Sequence, residues 1–271
     1  MQPSIMIMAL VAGLILSGCA SQQEKLHSWA QARGAEASVL ETRTFALQIV
    51  TPRSLPKGGR LSIFIEGDGR AWATGSQPSL DPSPRQTDMA RLAMEPDHAG
   101  AYVARPCQFV RSRACVREVW TDARFSQSVI EAFNDVIDQL KNRYNASSIE
   151  LIGYSGGAAV ALLIAEGRDD IAQIQTIAGN VDPYGWVALH GLSPLKGSLD
   201  PLANSLRLKQ IAQRHFIGTT DTVVPPVLLT GFLARTQPDC SEVISLPASH
   251  ATLMEAVDGR MLSRPIQCRS D

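Results

Sequence analysis

Ser148-Ile149-Glu150-Leu151-Ile152-Gly153-Tyr154-Ser155-Gly156-Gly157, running into Ala158-Ala159-Val160-Ala161-Leu162-Leu163-Ile164-Ala165-Glu166-Gly167, is the stretch that decides the fold. Ser148 to Ile152 is short and reads as a strand. Ala158 to Glu166 is small and apolar, which suits a buried helix, and Gly167 ends it. Between them, Gly153-x-Ser155-x-Gly157 predicts a tight strand-to-helix turn. Glycines two residues either side of the serine leave room where strand and helix approach, and the turn exposes the Ser155 hydroxyl at the helix N-terminus.

The same alternation extends in both directions. Thr42 to Val50, Leu61 to Ile65, Ala101 to Ala104, Ile174 to Ala178, His215 to Gly218 and Glu242 to Leu246 read as further strands. Phe125 to Tyr144 places apolar residues at 125, 129, 130, 133, 136, 137 and 140, a helical spacing. Val227 to Arg235 and Ala251 to Val257 read as helices. Strands alternating with helices predict an α/β fold: a mostly parallel sheet with helices on both faces. Ligands in such sheets sit at the carboxyl ends of the strands. The proline-bearing segments Arg70 to Pro96 and Asp182 to Leu206 are expected to shape the pocket, with Val181 to Leu206 as a small lid without amphipathic pattern.

A serine hydroxyl needs a base, and the base needs an orienting carboxylate. Of the five histidines, His27 lies near the amino end, His98 and His190 lie in loops, and His215 starts a strand at the wrong end of the sheet. His250 follows the last strand closely. Asp221 ends Phe216-Ile217-Gly218-Thr219-Thr220-Asp221 and precedes Thr222-Val223-Val224-Pro225; Asp182, after the preceding strand, is its rival. An oxyanion site needs backbone N–H groups. One is expected from Gly156 and the other from Ile65-Glu66-Gly67-Asp68-Gly69, where Asp68, Gly67 or Gly69 could donate. A carboxylate there must point away or be paired, with Arg70 as the expected partner.

The chain has 271 residues, 45% of them hydrophobic, and a formal net charge of −1. That suits one domain with a full core and offers no basic footprint for nucleic acid. Ile5 to Leu16 is an apolar run too short to span a bilayer. It ends in Leu16-Ser17-Gly18-Cys19, which resembles a bacterial lipoprotein signal. The resemblance implies cleavage before Cys19, lipidation of Cys19, and an anchored protein of the bacterial envelope. Ala20 after the cysteine implies the outer membrane, facing the periplasm. The expected organisation is a signal peptide over 1–18, a polar tether over 19–40 and a catalytic domain over 41–271. Cys107, Cys115, Cys240 and Cys268 remain, an even number suited to disulfides in an oxidising compartment. Three connectivities are possible; local spacing favours Cys107–Cys115 and Cys240–Cys268. No zinc-ligand spacing occurs, so no metal site is expected.

From Thr42 to Arg260 the chain resembles the α/β-hydrolase superfamily. The Gly-x-Ser-x-Gly turn and the chain order Ser155, Asp221, His250 carry the likeness, and Glu66 stands where the family's His-Gly-x-Gly element has histidine. Arg105-Pro106-Cys107 and Trp120-Thr121-Asp122-Ala123-Arg124-Phe125 are similar to segments of uncharacterised bacterial lipoprotein hydrolases. The resemblance implies a serine hydrolase that needs no cofactor and acts on a small-molecule carboxylic ester or thioester. A peptidase or amidase, an acyltransferase, and a non-catalytic envelope lipoprotein are the alternatives.

Overall fold

The structure is a computed structural model and describes residues 20–268. The expected signal segment 1–18 and Cys19 lie outside the described residues. Eight strands form one sheet: β1 (Ala35–Glu41), β2 (Ala46–Pro52), β3 (Arg60–Ile65), β4 (Ala101–Val103), β5 (Ser148–Tyr154), β6 (Ile171–Ile177), β7 (Ala212–Gly218) and β8 (Ser241–Leu246). Their spatial order is β1-β2-β4-β3-β5-β6-β7-β8. β2 pairs antiparallel with β1 and β4, and every later pairing is parallel. The expected mostly parallel α/β sheet is the observed fold.

Helices cover both faces. In chain order they are α1 (Gln22–Ala32), α2 (Asp88–Ala93), α3 (Gln127–Tyr144), α4 (Gly156–Gly167), α5 (Pro183–Leu189), α6 (Leu206–Gln210), α7 (Pro226–Thr236), α8 (His250–Ala256) and α9 (Gly259–Ser263). Strand residues alternate between two cores. Leu61, Ile63 and Ile65 of β3, with Ile149 and Leu151 of β5, pack against α3, α4 and α7. Phe64, Tyr102 and Ile152 face the other way, against α1, α2, α8 and α9. The period of two along each strand assigns its side chains to alternate layers.

Of the tether expected over 19–40, the described residues are instead folded into α1 and β1. Ser21 caps α1 and Glu24 closes a capping box. Leu26 and Ala30 are buried in the second core, and β1 pairs with β2 over its whole length. α1 buries only two residues, so its segment looks polar. The proline-bearing stretch Asp182 to Leu206 contains α5. Disulfides join Cys107 to Cys115 and Cys240 to Cys268, the pairs favoured by spacing. Among the described residues no helix is long and apolar enough to cross a membrane.

Candidate active site

β5 delivers Ser155 to the carboxyl edge of the sheet. The residue has φ 49° and ψ −121°, a strained conformation for a side chain larger than glycine, and α4 begins at the next residue. The strain is held by neighbours: Ser155 N–H donates to Ile177 O at 3.0 Å and Asn180 N–H donates to Ser155 O at 2.9 Å. A Cβ on Gly153 would lie 2.6 Å from the backbone of Ala158, and one on Gly157 would strike the carbonyls of Ile65 and Glu66. Strand, turn and helix close up only with glycine at both places.

The structure brings Ser155, Asp221 and His250 together. Asp221 follows β7 and is turned by its own loop: its Oδ1 accepts the N–H groups of Val223 at 2.9 Å and Val224 at 2.8 Å. Its Oδ2 lies 2.8 Å from His250 Nδ1. His250 opens α8, whose start is set by a capping box between Ser249 and Thr252. His250 Nε2 lies 3.1 Å from Ser155 Oγ. With Nδ1–H given to the buried carboxylate, Nε2 keeps its lone pair for the hydroxyl proton. Tyr154 packs on the imidazole, ring centroids 5.4 Å apart, and burial pushes its phenol well above the ordinary range. The rival Asp182 caps α5 through Gly185 N–H at 2.8 Å and takes no part in this chain of bonds.

The expected oxyanion loop packs directly on the turn. A Cβ on Gly67 would lie 3.3 Å from Ser155 Cβ, and one on Gly156 would meet the Asp68 carboxylate. Gly67 is not a free donor, however: its N–H is taken by Glu66 Oε1 at 2.8 Å. Among the described residues, the N–H groups of Asp68 and Gly156 have no protein acceptor. The Glu66 carboxyl also accepts Tyr102 OH at 3.0 Å. Burial raises it to about 7, against the lowering effect of those two donors. Asp68 is paired, but not with Arg70: Arg105 Nη1 lies 3.1 Å from Oδ1 and Arg124 Nη1 2.6 Å from Oδ2. Burial works against its charge, and the two guanidinium groups overcome that and hold it below the usual carboxylate range.

A cavity of about 610 Å³ opens over Ser155 and His250. Residues 70–72, 84–86, 88 and 89, with Trp186 of α5, wall it, as the two proline-bearing segments were expected to. Trp186 Nε1–H donates to Val223 O at 2.7 Å, tying α5 to the Asp221 loop. Among the described residues no group of three or more metal-ligating side chains occurs.

Residues 94–252 match the family described as serine hydrolase, FSH1. The chain belongs to this serine hydrolase family. All three members of the Ser155 constellation lie inside the matched stretch, whereas Glu66 to Gly69 lie before it. Among solved structures, an alpha-beta serine hydrolase homologue from Coxiella burnetii shares 18% identity, with 84% of this chain and 95% of that chain covered at a TM-score of 0.52. A Pyrococcus furiosus esterase shares 15% over 83% of this chain and 87% of that one, TM-score 0.56. A Pyrococcus horikoshii acylaminoacyl peptidase shares 11% over 87% of this chain and 41% of that one, TM-score 0.55. These likenesses establish the α/β-hydrolase fold of this serine hydrolase. Among curated proteins nothing matches the chain.

The hydrolase's other histidines lie off the reaction line. His215 sits mid-strand, not at a strand start; it is fully buried against Thr176, and burial lowers it to about 3. His190 lies 3.0 Å from Val223 O through Nε2. Sequence reasoning missed the Arg105 and Arg124 pairing with Asp68. Both arginines lie in the two segments singled out for family likeness, which was the available signal.

Proposed function

We propose that this hydrolase cleaves carboxylic esters, thioesters included, through an acyl-enzyme on Ser155. The observation that carries the reading is the His250 imidazole, bonded to Asp221 through one nitrogen and to Ser155 Oγ through the other. His250 Nε2 takes the hydroxyl proton as Oγ attacks the carbonyl carbon. The N–H groups of Gly156 and Asp68 receive the charge on the carbonyl oxygen. Collapse expels the alcohol or thiol, which leaves with the proton from His250. Water then repeats the sequence and frees the acid, and Asp221 stabilises the imidazolium each time. Trp72, Met89, Trp186, Val224 and Met254 line the cavity and favour an acyl or alkyl group held dry beside Ser155.

The substrate class is tested with p-nitrophenyl butyrate against butyryl p-nitroanilide, which share an acyl group. The ester reading expects a kcat/KM advantage of at least about 10²-fold for the ester, since the anilide is the poorer leaving group. Equal values or an anilide preference move the chain to the amidase or peptidase alternative, the activity named for one structural neighbour. A fluorophosphonate that fails to label the native protein moves it to a non-catalytic lipoprotein.

We also infer a lipid-anchored place in the bacterial envelope, at the outer membrane facing the periplasm. Support comes from Leu16-Ser17-Gly18-Cys19 after the apolar run, and from two disulfides, which persist in oxidising compartments. Cys19→Ser should abolish palmitate labelling and release the protein from the membrane fraction; unchanged fractionation rejects the anchor.

A further inference from the structure

Burying one carboxylate and two guanidinium groups beside an active site is costly, and such a cluster rarely adds stability over an apolar one of the same volume. Here the three groups converge on one turn. Arg105 and Arg124 side chains are 6% and 8% exposed, and Asp68, between them, is 23% exposed. Each arginine is itself fixed by backbone: Arg105 Nη2 donates to Arg124 O, and Arg124 Nε donates to Thr121 O. Gln108 completes the cage, donating from Nε2 to Gly67 O at 3.0 Å and accepting Arg105 N–H through Oε1 at 3.0 Å. The Cys107–Cys115 bond closes the same loop.

The carboxylate held this way lies against Gly156, at the N-terminus of the twelve-residue α4. That is the place where an oxyanion would form. An uncompensated negative charge a few ångströms from a developing oxyanion opposes it, and in a partly dehydrated site the opposition is strong. Two opposed cations convert it into a net positive surround. We propose that Arg105 and Arg124 are positioning residues for the oxyanion hole: they neutralise and fix the Asp68 side chain so that the Asp68 N–H, with that of Gly156, can receive the charge. The proposal rests on the acyl-enzyme reading of Ser155.

The test compares wild type, Asp68→Asn, Arg124→Met and the double variant as full-length proteins with p-nitrophenyl butyrate, a double-mutant cycle, with phenylboronic acid as a probe that forms a tetrahedral adduct. Arg124→Met should lower kcat about 10²-fold, the scale of a lost oxyanion donor, with KM changed less than about threefold. Phenylboronic acid inhibition should weaken by a similar factor. Asp68→Asn/Arg124→Met should recover at least tenfold of the lost kcat, because the uncompensated charge is gone. Arg124→Lys, which keeps the cation, should lose less than tenfold. A double variant no more active than Arg124→Met overturns the proposal, as does a wild-type kcat in Arg124→Met or a kcat loss that boronate inhibition does not follow. If melting shows that Arg124→Met does not fold, Arg105→Met and Asp68→Asn/Arg105→Met carry the same comparison and criteria. A Ser155→Ala protein that still turns over the ester sinks the acyl-enzyme reading itself. An inactive Ser155→Ala beside fully active arginine variants sinks only the clamp.

Discussion

Two places in this molecule bring a serine, a histidine and a carboxylate within hydrogen-bond distance, toward opposite ends of the same sheet. At the carboxyl end, the imidazole of His250 stands between Ser155 and Asp221 and uses a different nitrogen for each. At the amino end, on neighbouring β3 and β5, Ser62 Oγ donates directly to Glu150 Oε2 at 2.5 Å. His98 Nε2 meets that same oxygen at 2.7 Å and Ser62 Oγ at 3.4 Å, so one nitrogen faces both partners. The Ser62 proton therefore points to the acid, not to a base. Glu150 is a poor base as well: despite burial, His98, Ser62 and Gln175 hold its carboxyl down at about 2. Ser62 lies inside an ordinary strand, and none of the three side chains lines the cavity. The difference teaches that these residue types do not make a nucleophile. The order of the bonds, the strained turn and the open strand end do.

The sharpest way to break the comparison is to remove each serine. Ser155→Ala should cost about 10⁵- to 10⁶-fold in kcat, while Ser62→Ala stays within about twofold. Ester hydrolysis with peptide mapping of the fluorophosphonate adduct reads both, and an adduct on Ser62 would invert the assignment. The acids come next. Asp221→Asn should drop kcat about 10⁴-fold, because an amide no longer fixes the productive tautomer. Asp182→Asn, which disturbs a helix cap and an ion pair with Arg235, should stay within a fewfold. Equal losses in the two variants would return Asp182 to candidacy.

Glu150 should matter for stability instead. Its folded-state pKa lies below the unfolded one, so its contribution is present above about pH 4.5 and is lost as pH falls toward 2. Glu150→Gln should cost about 3 kcal/mol at pH 7, the scale of hydrogen bonds to a buried charged group, with kcat unchanged. Urea unfolding should show the gap between wild type and variant closing between pH 4.5 and 2. A constant gap would mean that the carboxylate is not ionised in the fold.

The parts legible in the sequence were local ones. The strand, Gly153-x-Ser155-x-Gly157 turn and α4 occupy consecutive residues, and α3 announces itself by spacing. Asp221 and His250 were legible because each closely follows a strand, so chain order placed them. What stayed hidden depends on distance along the chain. Asp68 meets Arg105 and Arg124 across 37 and 56 residues, and Ser62 meets Glu150 across 88. No window reveals such pairs. Edge strand β1 did carry a partial signal: Ala35, Ala37 and Val39 alternate with Glu36 and Ser38, but three of its seven residues are only half-buried. Helix α5 did carry a signal, the Asp182 cap followed by Pro183 at its first position.

The smallest expected effect compares the buried carboxyls of the two ends, Glu66 and Glu150. They shift in opposite directions because their partners differ. Glu150 gathers donors from Ser62, Gln173, Gln175 and His98. Among the described residues Glu66 has only Gly67 N–H and Tyr102 OH as donors, too few to offset burial, and rises to about 7. A raised folded-state pKa favours the neutral acid, so the stability Glu66 contributes is complete below about pH 4.5 and is lost as pH rises through 7. Glu66→Gln keeps an oxygen for Gly67 N–H and carries no charge. It should match wild type near pH 5 and exceed it by about 1–2 kcal/mol at pH 8, less than the full shift because cavity water relaxes around the ion. Unfolding by urea at both pH values checks this, and kcat should stay within about fivefold. A variant less stable at pH 8 than wild type would show that the ionised carboxylate is held by donors as firmly as Glu150, and the contrast between the two ends would then lie in the bond order of the serines alone.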